Sequence, residues 1–130
     1  MTNTPETCTN ANVLSQHCPS RTVLDMIASK WSVLILYALR GGTLRYSQLQ
    51  HAVGGISQKM LTQTLRELER DGLVQRTAYP VVPPHTEYAL TPLGQSLEHI
   101  VAALGGWAEA HLAQVTAARA AYAARQPQTD

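Results

Sequence analysis

Between residues 57 and 70 the chain spaces its hydrogen-bond donors so that they can engage a polyanion: Ser57, Gln58, Lys59, Thr62, Gln63, Arg66 and Arg70. At about 100° per residue, Lys59, Thr62, Gln63, Arg66 and Arg70 share one side of a helix, while Leu61, Leu65 and Leu68 share the other. Glu67 and Glu69 fall to either side of the polar stripe, which leaves no carboxylate in its middle to repel an anion. Such a face suits a major groove, where Lys, Arg and Gln donate to phosphate oxygens and base edges. The same pattern also fits an ordinary amphipathic helix with a solvated outer face, so the flanking elements must decide between the two.

Cys18 is the second residue with chemistry to offer. It precedes Pro19, and proline favours the first helical position, which makes Cys18 the N-cap. A thiolate there is stabilised by the helix dipole and by unpaired backbone N–H groups, which lower its pKa. Arg21 acts in the same direction, as does His17 when protonated. Such a thiol can be oxidised, alkylated, or joined by a disulfide to Cys8 or to a cysteine of a second subunit. The alternative is a cysteine packed as a small apolar cap under Trp31. Cys8, His17 and Cys18 lack the spacing of a metal-binding pair, and His51, His85, His99 and His111 are scattered. No metal and no cofactor are expected. No Cys-His-Asn grouping, Gly-rich phosphate loop or paired acids point to an enzyme.

The elements that must position these residues follow from turn chemistry and periodicity. Gly54-Gly55-Ile56 forms a tight turn, after which Ser57 caps the donor-bearing helix. A short helix precedes the turn, with Ser47 and Gln50 at capping-box spacing and Leu49, Ala52 and Val53 facing inward. Nearer the N-terminus, Cys18-Pro19 opens a helix with Val23, Ile27 and Trp31 on one face, flanked by Leu24 and Met26. The run WSVLILYAL over residues 31–39 reads as a buried helix stopped by Arg40-Gly41-Gly42, with a buried strand over 33–36 as the alternative. Thr43-Leu44-Arg45 has room for a β-bridge only. Beyond Asp71-Gly72, strands over 73–79 and 86–90 enclose a loop stiffened by Pro80, Pro83 and Pro84. A stiff hairpin beside such a helix is a wing. Arg76 and His85 are its candidate contacts to phosphate or minor groove, unless they are simply solvated, and Arg45 joins the set.

Thr91-Pro92 opens a last helix whose Leu93, Leu97, Ile100, Val101, Leu104, Trp107, Ala108, His111, Leu112 and Val115 make a broad apolar face. A helix this long cannot bury that face on so small a domain, so it is expected to be a dimer interface formed by Leu97, Ile100, Val101, Leu104, Trp107 and His111. Gly105-Gly106 weakens it by about 1 kcal/mol per glycine relative to alanine and permits a kink. The expected organisation is a flexible arm over 1–17, a winged-helix domain over 18–116 that includes the dimerisation helix from about 92, and a tail over 117–130. The tail is helical at first and frays at Pro127.

The 130 residues suffice for one domain with a core. No run of 18 apolar residues is present, so no membrane partner is expected. The polar start MTNTPETCTN lacks the charged and apolar regions of a leader, and two cysteines are too few to staple a fold of this size. Both observations suit a reducing cytoplasm. The net charge is only +1, yet Arg40, Arg45, Lys59, Arg66, Arg70 and Arg76 outnumber Glu67, Glu69 and Asp71, so the positive excess lies over the paired helices.

Several words of the sequence are specific when taken together. CPSRTVLDMIASKWSVLIL, LRYSQLQ, GISQKMLTQTLRELERDGLVQR and YPVVPPHTEYALTPLGQSL strongly resemble the HxlR family of winged helix-turn-helix regulators, relatives of the MarR type. The match runs over residues 18–107. The resemblance implies a mainly α (α+β) fold and a homodimeric transcription factor that binds double-stranded DNA; the expected action is that of a regulator, a repressor before an activator, on a pseudo-palindromic site. It implies that the helix over 57–70 reads the major groove and that the hairpin over 79–86 contacts the flanking minor groove. Members of the family respond to different cues, and several sense oxidants or electrophiles through a cysteine just before the first helix, the position of Cys18 here. Cys8 lies upstream of the matched words. The competing reading is a winged-helix protein-interaction module without DNA binding.

Overall fold

The computed structural model describes residues 10–126. Cys18 stands at the N-cap of α1 (Pro19–Ile27), with Pro19 in the first turn, as the Cys-Pro pair predicts. The next helix is a separate rod. Ser29 accepts from the backbone N–H of Ser32 at 3.3 Å and caps α2 (Lys30–Leu39), which bends 68° away from α1. Ile35, Leu36 and Leu39 carry α2 into the core, so residues 33–36 are helical and not a strand. Val23 and Leu24 on α1 remain exposed.

The short helix before the turn, α3 (Tyr46–Ala52), is capped two residues ahead of the expected Ser47. Its N-cap is Arg45, whose N–H donates to Gln48 Oε1 at 2.8 Å. The reciprocal spacing of three residues is kept, but Gln48 fills the role expected of Gln50. Gly55 then takes φ +85°, a left-handed conformation that a side chain would oppose, and the chain turns into α4 (Gln58–Arg70). Leu61, Leu65 and Leu68 are all 2% exposed or less and pin α4 to the core formed by Leu49 of α3 and Ile35, Leu36 and Leu39 of α2. Burying three leucines contributes on the order of 5–8 kcal/mol before conformational entropy is set against it.

The wing has three strands, where a two-stranded hairpin is expected from sequence. β1 (Leu44–Arg45) pairs antiparallel with β3 (His85–Leu90), and β3 pairs with β2 (Val74–Tyr79), in the order β1-β3-β2. Two residues suffice for the third strand because they cover the otherwise open edge of β3, with Leu44 opposite Tyr88 and Arg45 opposite Glu87. Gly94 in α5 (Pro92–Gln95) packs directly against the Leu73 carbonyl, an approach with no room for a Cβ.

The expected single C-terminal helix is divided. After α5, α6 (Glu98–Ala110) and α7 (Leu112–Arg125) are separated at His111, and Gly105-Gly106 lies inside α6 without a break. The His111 ring stacks on Trp107 at 4.6 Å, and both its N–H and its Nδ1 reach the Trp107 carbonyl, at 3.0 and 2.9 Å. Alanine-rich sequence carries α7 to Arg125. The described chain divides into two compact units, one ending at Glu98 and the other starting at His99. Cys8, most of the expected N-terminal arm, and the fraying expected at Pro127 lie outside the described residues. No single described helix is long and apolar enough to cross a membrane.

Candidate nucleic-acid interface

Ser57 caps α4 by accepting from the Met60 N–H at 3.0 Å, which fixes where the helix begins and therefore which side chains face outward. Gln58, Lys59, Gln63, Arg66 and Arg70 are exposed, and Thr62 is half-buried. Gln58, Lys59, Thr62, Gln63, Arg66 and Glu67 line one open groove of about 800 Å³ along the outer side of the helix. The face opposite the leucines is thus donor-rich along its length.

Tyr46 holds the helix pair in register. Its hydroxyl donates to the Gln58 carbonyl at 3.1 Å and shares a hydrogen bond with Thr62 Oγ1 at 2.8 Å, and its ring lies 6.4 Å from that of Tyr88 on β3. One side chain thereby ties α3, α4 and the sheet together. Nothing in the sequence singles out Tyr46. A tyrosine at the start of a short helix carries no periodic signal, and its partner Thr62 lies 16 residues away. The same bond occupies the Thr62 hydroxyl, so Thr62 positions α4 before it can offer anything to a ligand.

The candidate cations differ in how far they are already engaged. Arg70 forms a two-pronged pair with Asp71, Nε to Oδ1 at 2.9 Å and the second nitrogen to Oδ2 at 3.2 Å. This hydrogen bond raises the Arg70 pKa above its ordinary value, with the Asp71 charge adding to it, and lowers that of Asp71. Much of the Arg70 charge is therefore met within the chain. His85 stacks on Tyr79 at 4.9 Å and lies 3.4 Å from Glu87, which ties it to the wing. Arg45, Lys59, Arg66 and Arg76 take part in no ion pair among the described residues, and all four are exposed. Arg66 of α4 and Arg76 of β2 meet across a cleft of about 300 Å³ shared with Thr62, Leu65, Glu69 and Tyr88. The cleft joins the outer face of α4 to the wing, a continuity the spacing of residues 66 and 76 does not reveal.

Cys18 is 5% exposed and is in a disulfide bond, so the thiolate chemistry expected at this helix start does not describe this state. The Asn12 N–H approaches its sulfur at 3.5 Å and the Ser20 hydroxyl at 3.3 Å. The Arg21 guanidinium donates to the Leu14 carbonyl at 3.1 Å. A cavity of about 640 Å³ lies beside Cys18, walled by His17, Pro19 and Met26 on one side and by Arg70 and Asp71 at the end of α4 on the other. Of the expected dimerisation residues, Ile100, Leu104 and Trp107 are exposed, Leu97 and His111 are half-buried, and Val101 is already buried within the chain.

Known proteins share this architecture. The HTH-type transcriptional regulator YtfH of Escherichia coli (strain K12) is 55% identical over 108 residues, covering 83% of this chain and 86% of its own. The solved structure of ytfH from Salmonella typhimurium superimposes with a TM-score of 0.80 at 54% identity, over 85% of this chain and 98% of that one. The redox regulator HypR in its oxidised form matches with a TM-score of 0.66 at 42% identity, over 72% of this chain and 96% of its own. The model of the HxlR-like helix-turn-helix family matches residues 26–116. With a recognition-type helix, a wing and relatives of this kind, the chain belongs to the HxlR-like helix-turn-helix family and is a transcriptional regulator of the helix-turn-helix type.

Proposed function

We propose that the chain binds double-stranded DNA sequence-specifically as a homodimer and acts as a repressor. In this reading α4 lies in the major groove. Lys59, Gln63 and Arg66 address base edges and phosphates, and Arg45 and Arg76 engage the backbone on either side. The observation that carries the reading is the unpaired, exposed donor row of α4, backed by three buried leucines that prevent the rod from rolling. A protein-interaction role would need an apolar or acidic outer face on α4, and the helix offers neither. Dimerisation would cover Ile100, Leu104 and Trp107, which are between 51% and 55% exposed. Two copies of α4 would then enter half-sites about 34 Å apart.

The signal in this proposal is an oxidant or electrophile acting at Cys18. Support comes from the disulfide at Cys18, from the cavity it shares with the end of α4, and from the similarity to a redox regulator. A change at the sulfur has a short route to α4 through Arg70 and Asp71. Gel shifts with DNA from upstream of the chain's own gene, with and without a mild thiol oxidant, test both parts. Duplex affinity should fall steeply with salt as phosphates displace counterions, and the slope should drop by about one for Arg66→Ala or Lys59→Ala. Affinity indifferent to both substitutions would refute the assignment of α4. Affinity indifferent to oxidant and to Cys18→Ser would refute the sensing role.

A further inference from the structure

The cavity of about 640 Å³ between the start of α1 and the end of α4 has two unlike walls. Pro19, Val23 and Met26 make one side apolar, while Arg70 and Asp71 stand on the other. Nε and one terminal nitrogen of Arg70 donate to Asp71, and the other terminal nitrogen meets no carboxylate among the described residues. The site therefore suits a segment that brings both apolar surface and a carboxylate. Such a segment lies close by in the chain. Cys18 lines the cavity and is in a disulfide, and Cys8 is the other cysteine of the sequence. Residues 12–18 double back: the Ser15 N–H donates to the Asn12 carbonyl at 3.1 Å and the Cys18 N–H to the Ser15 carbonyl at 3.2 Å. The Asn12 N–H thereby approaches the Cys18 sulfur at 3.5 Å, so the backbone upstream of it starts beside the cavity.

We infer that Cys8 is the disulfide partner of Cys18 and that residues 1–7 of the same chain dock in this cavity, with Pro5 against the apolar wall and Glu6 accepting from the open nitrogen of Arg70. Reach allows it. A disulfide holds its two Cα atoms about 4.4–6.8 Å apart, and two further residues extend about 7 Å, so Glu6 falls within about 14 Å of Cys18. Charge favours it too: residues 1–7 contain one acid, Glu6, and no lysine or arginine occurs before Arg21. Asp71 opposes Glu6, and an exposed ion pair adds little by itself. The tether supplies the rest, because it makes docking intramolecular at an effective concentration of about millimolar. A segment seated there lies against the last turn of α4. The inference does not depend on DNA binding.

The test treats the oxidised full chain with a glutamate-specific protease and follows release of residues 1–6 by mass, before and after adding a dithiol. The dithiol gives two electrons and two protons to the sulfurs of Cys8 and Cys18, which become two thiols, and itself closes to a cyclic disulfide. Cleavage tracks the undocked population, so release should be about tenfold slower from the oxidised chain than from the reduced one. In the oxidised chain Arg70→Ala should speed release about two- to fivefold, the range of an exposed ion pair. Val23→Asp, which sets a like charge on the apolar wall, should remove most of the protection. Arg70 and Val23 are exposed, so both variants should melt with the parent. Equal release from oxidised and reduced chains overturns the inference. Protection that survives both substitutions assigns it to the tether alone and overturns it as well. A disulfide that joins Cys18 to a second chain on a non-reducing gel overturns it too. No duplex enters the assay, so each of these results leaves the reading of α4 standing.

Discussion

Replacing Tyr46 with phenylalanine removes one oxygen and leaves the ring in place against Tyr88. That oxygen bonds the Gln58 carbonyl at 3.1 Å and Thr62 Oγ1 at 2.8 Å. A typical intramolecular hydrogen bond contributes about 1 kcal/mol net. The Gln58 side of the pair is exposed, so water can replace the lost donor there, whereas Thr62 is half-buried and loses more. The expected cost to stability is about 1–2 kcal/mol, or a fall in Tm of roughly 4–8 °C for a domain of this size. A double-mutant cycle with Thr62→Val isolates the pair, and a coupling of about 1 kcal/mol is expected by chemical denaturation. DNA affinity should fall by more than stability at working temperature, because the bond fixes the first turn of α4 relative to α3. A Tyr46→Phe protein that melts and binds as the parent does would refute the claim that this hydroxyl sets the angle of the helix pair.

Other perturbations separate packing from charge. Gly94→Ala should destabilise despite alanine's better helix propensity, because its Cβ would meet the Leu73 carbonyl, which is backbone and cannot swing aside; thermal melting at or above the parent value would contradict this. Leu65→Ala should cost about 2–5 kcal/mol in urea unfolding, since Leu65 is 2% exposed in the core beneath α4. Asp71 has its pKa lowered, first by the Arg70 hydrogen bond. Its contribution to stability is therefore present above the ordinary aspartate value and is lost as pH falls through the lower folded value. The pair is exposed and the effect is small, but acid titration of stability should show it in the parent and not in Asp71→Asn.

Much of the fold was legible because its signals are local. The Cys18-Pro19 start, the Ser57 cap, the glycine turn before α4 and the leucines at 61, 65 and 68 each act within a turn of helix, and each lies where its spacing places it. What escaped the sequence depends on partners far along the chain or on side chains that compete for the backbone. A β-bridge is expected at Leu44–Arg45, but its partner is not legible, because β3 lies more than forty residues on. The break falls at His111, whose ring folds back onto Trp107, while Gly105 and Gly106 stay helical inside α6.

The candidate site shows the same division more sharply. Periodicity correctly separates the buried leucines from the outer face of α4, but it assigns every polar residue on that face the same availability. The structure does not. Thr62 is held by Tyr46, Arg70 by Asp71 and His85 by Tyr79 and Glu87, so three of the donors counted from sequence already have work within the fold. Lys59, Gln63 and Arg66 on α4, with Arg45 and Arg76 beside it, keep their donors exposed. A donor already paired must give up that partner before it gains a new one, whereas an exposed one exchanges only water. Under the proposed reading, the residues available to a ligand are therefore a smaller set than the basic face, and some of the residues that hold that set in place are ones periodicity counts with it.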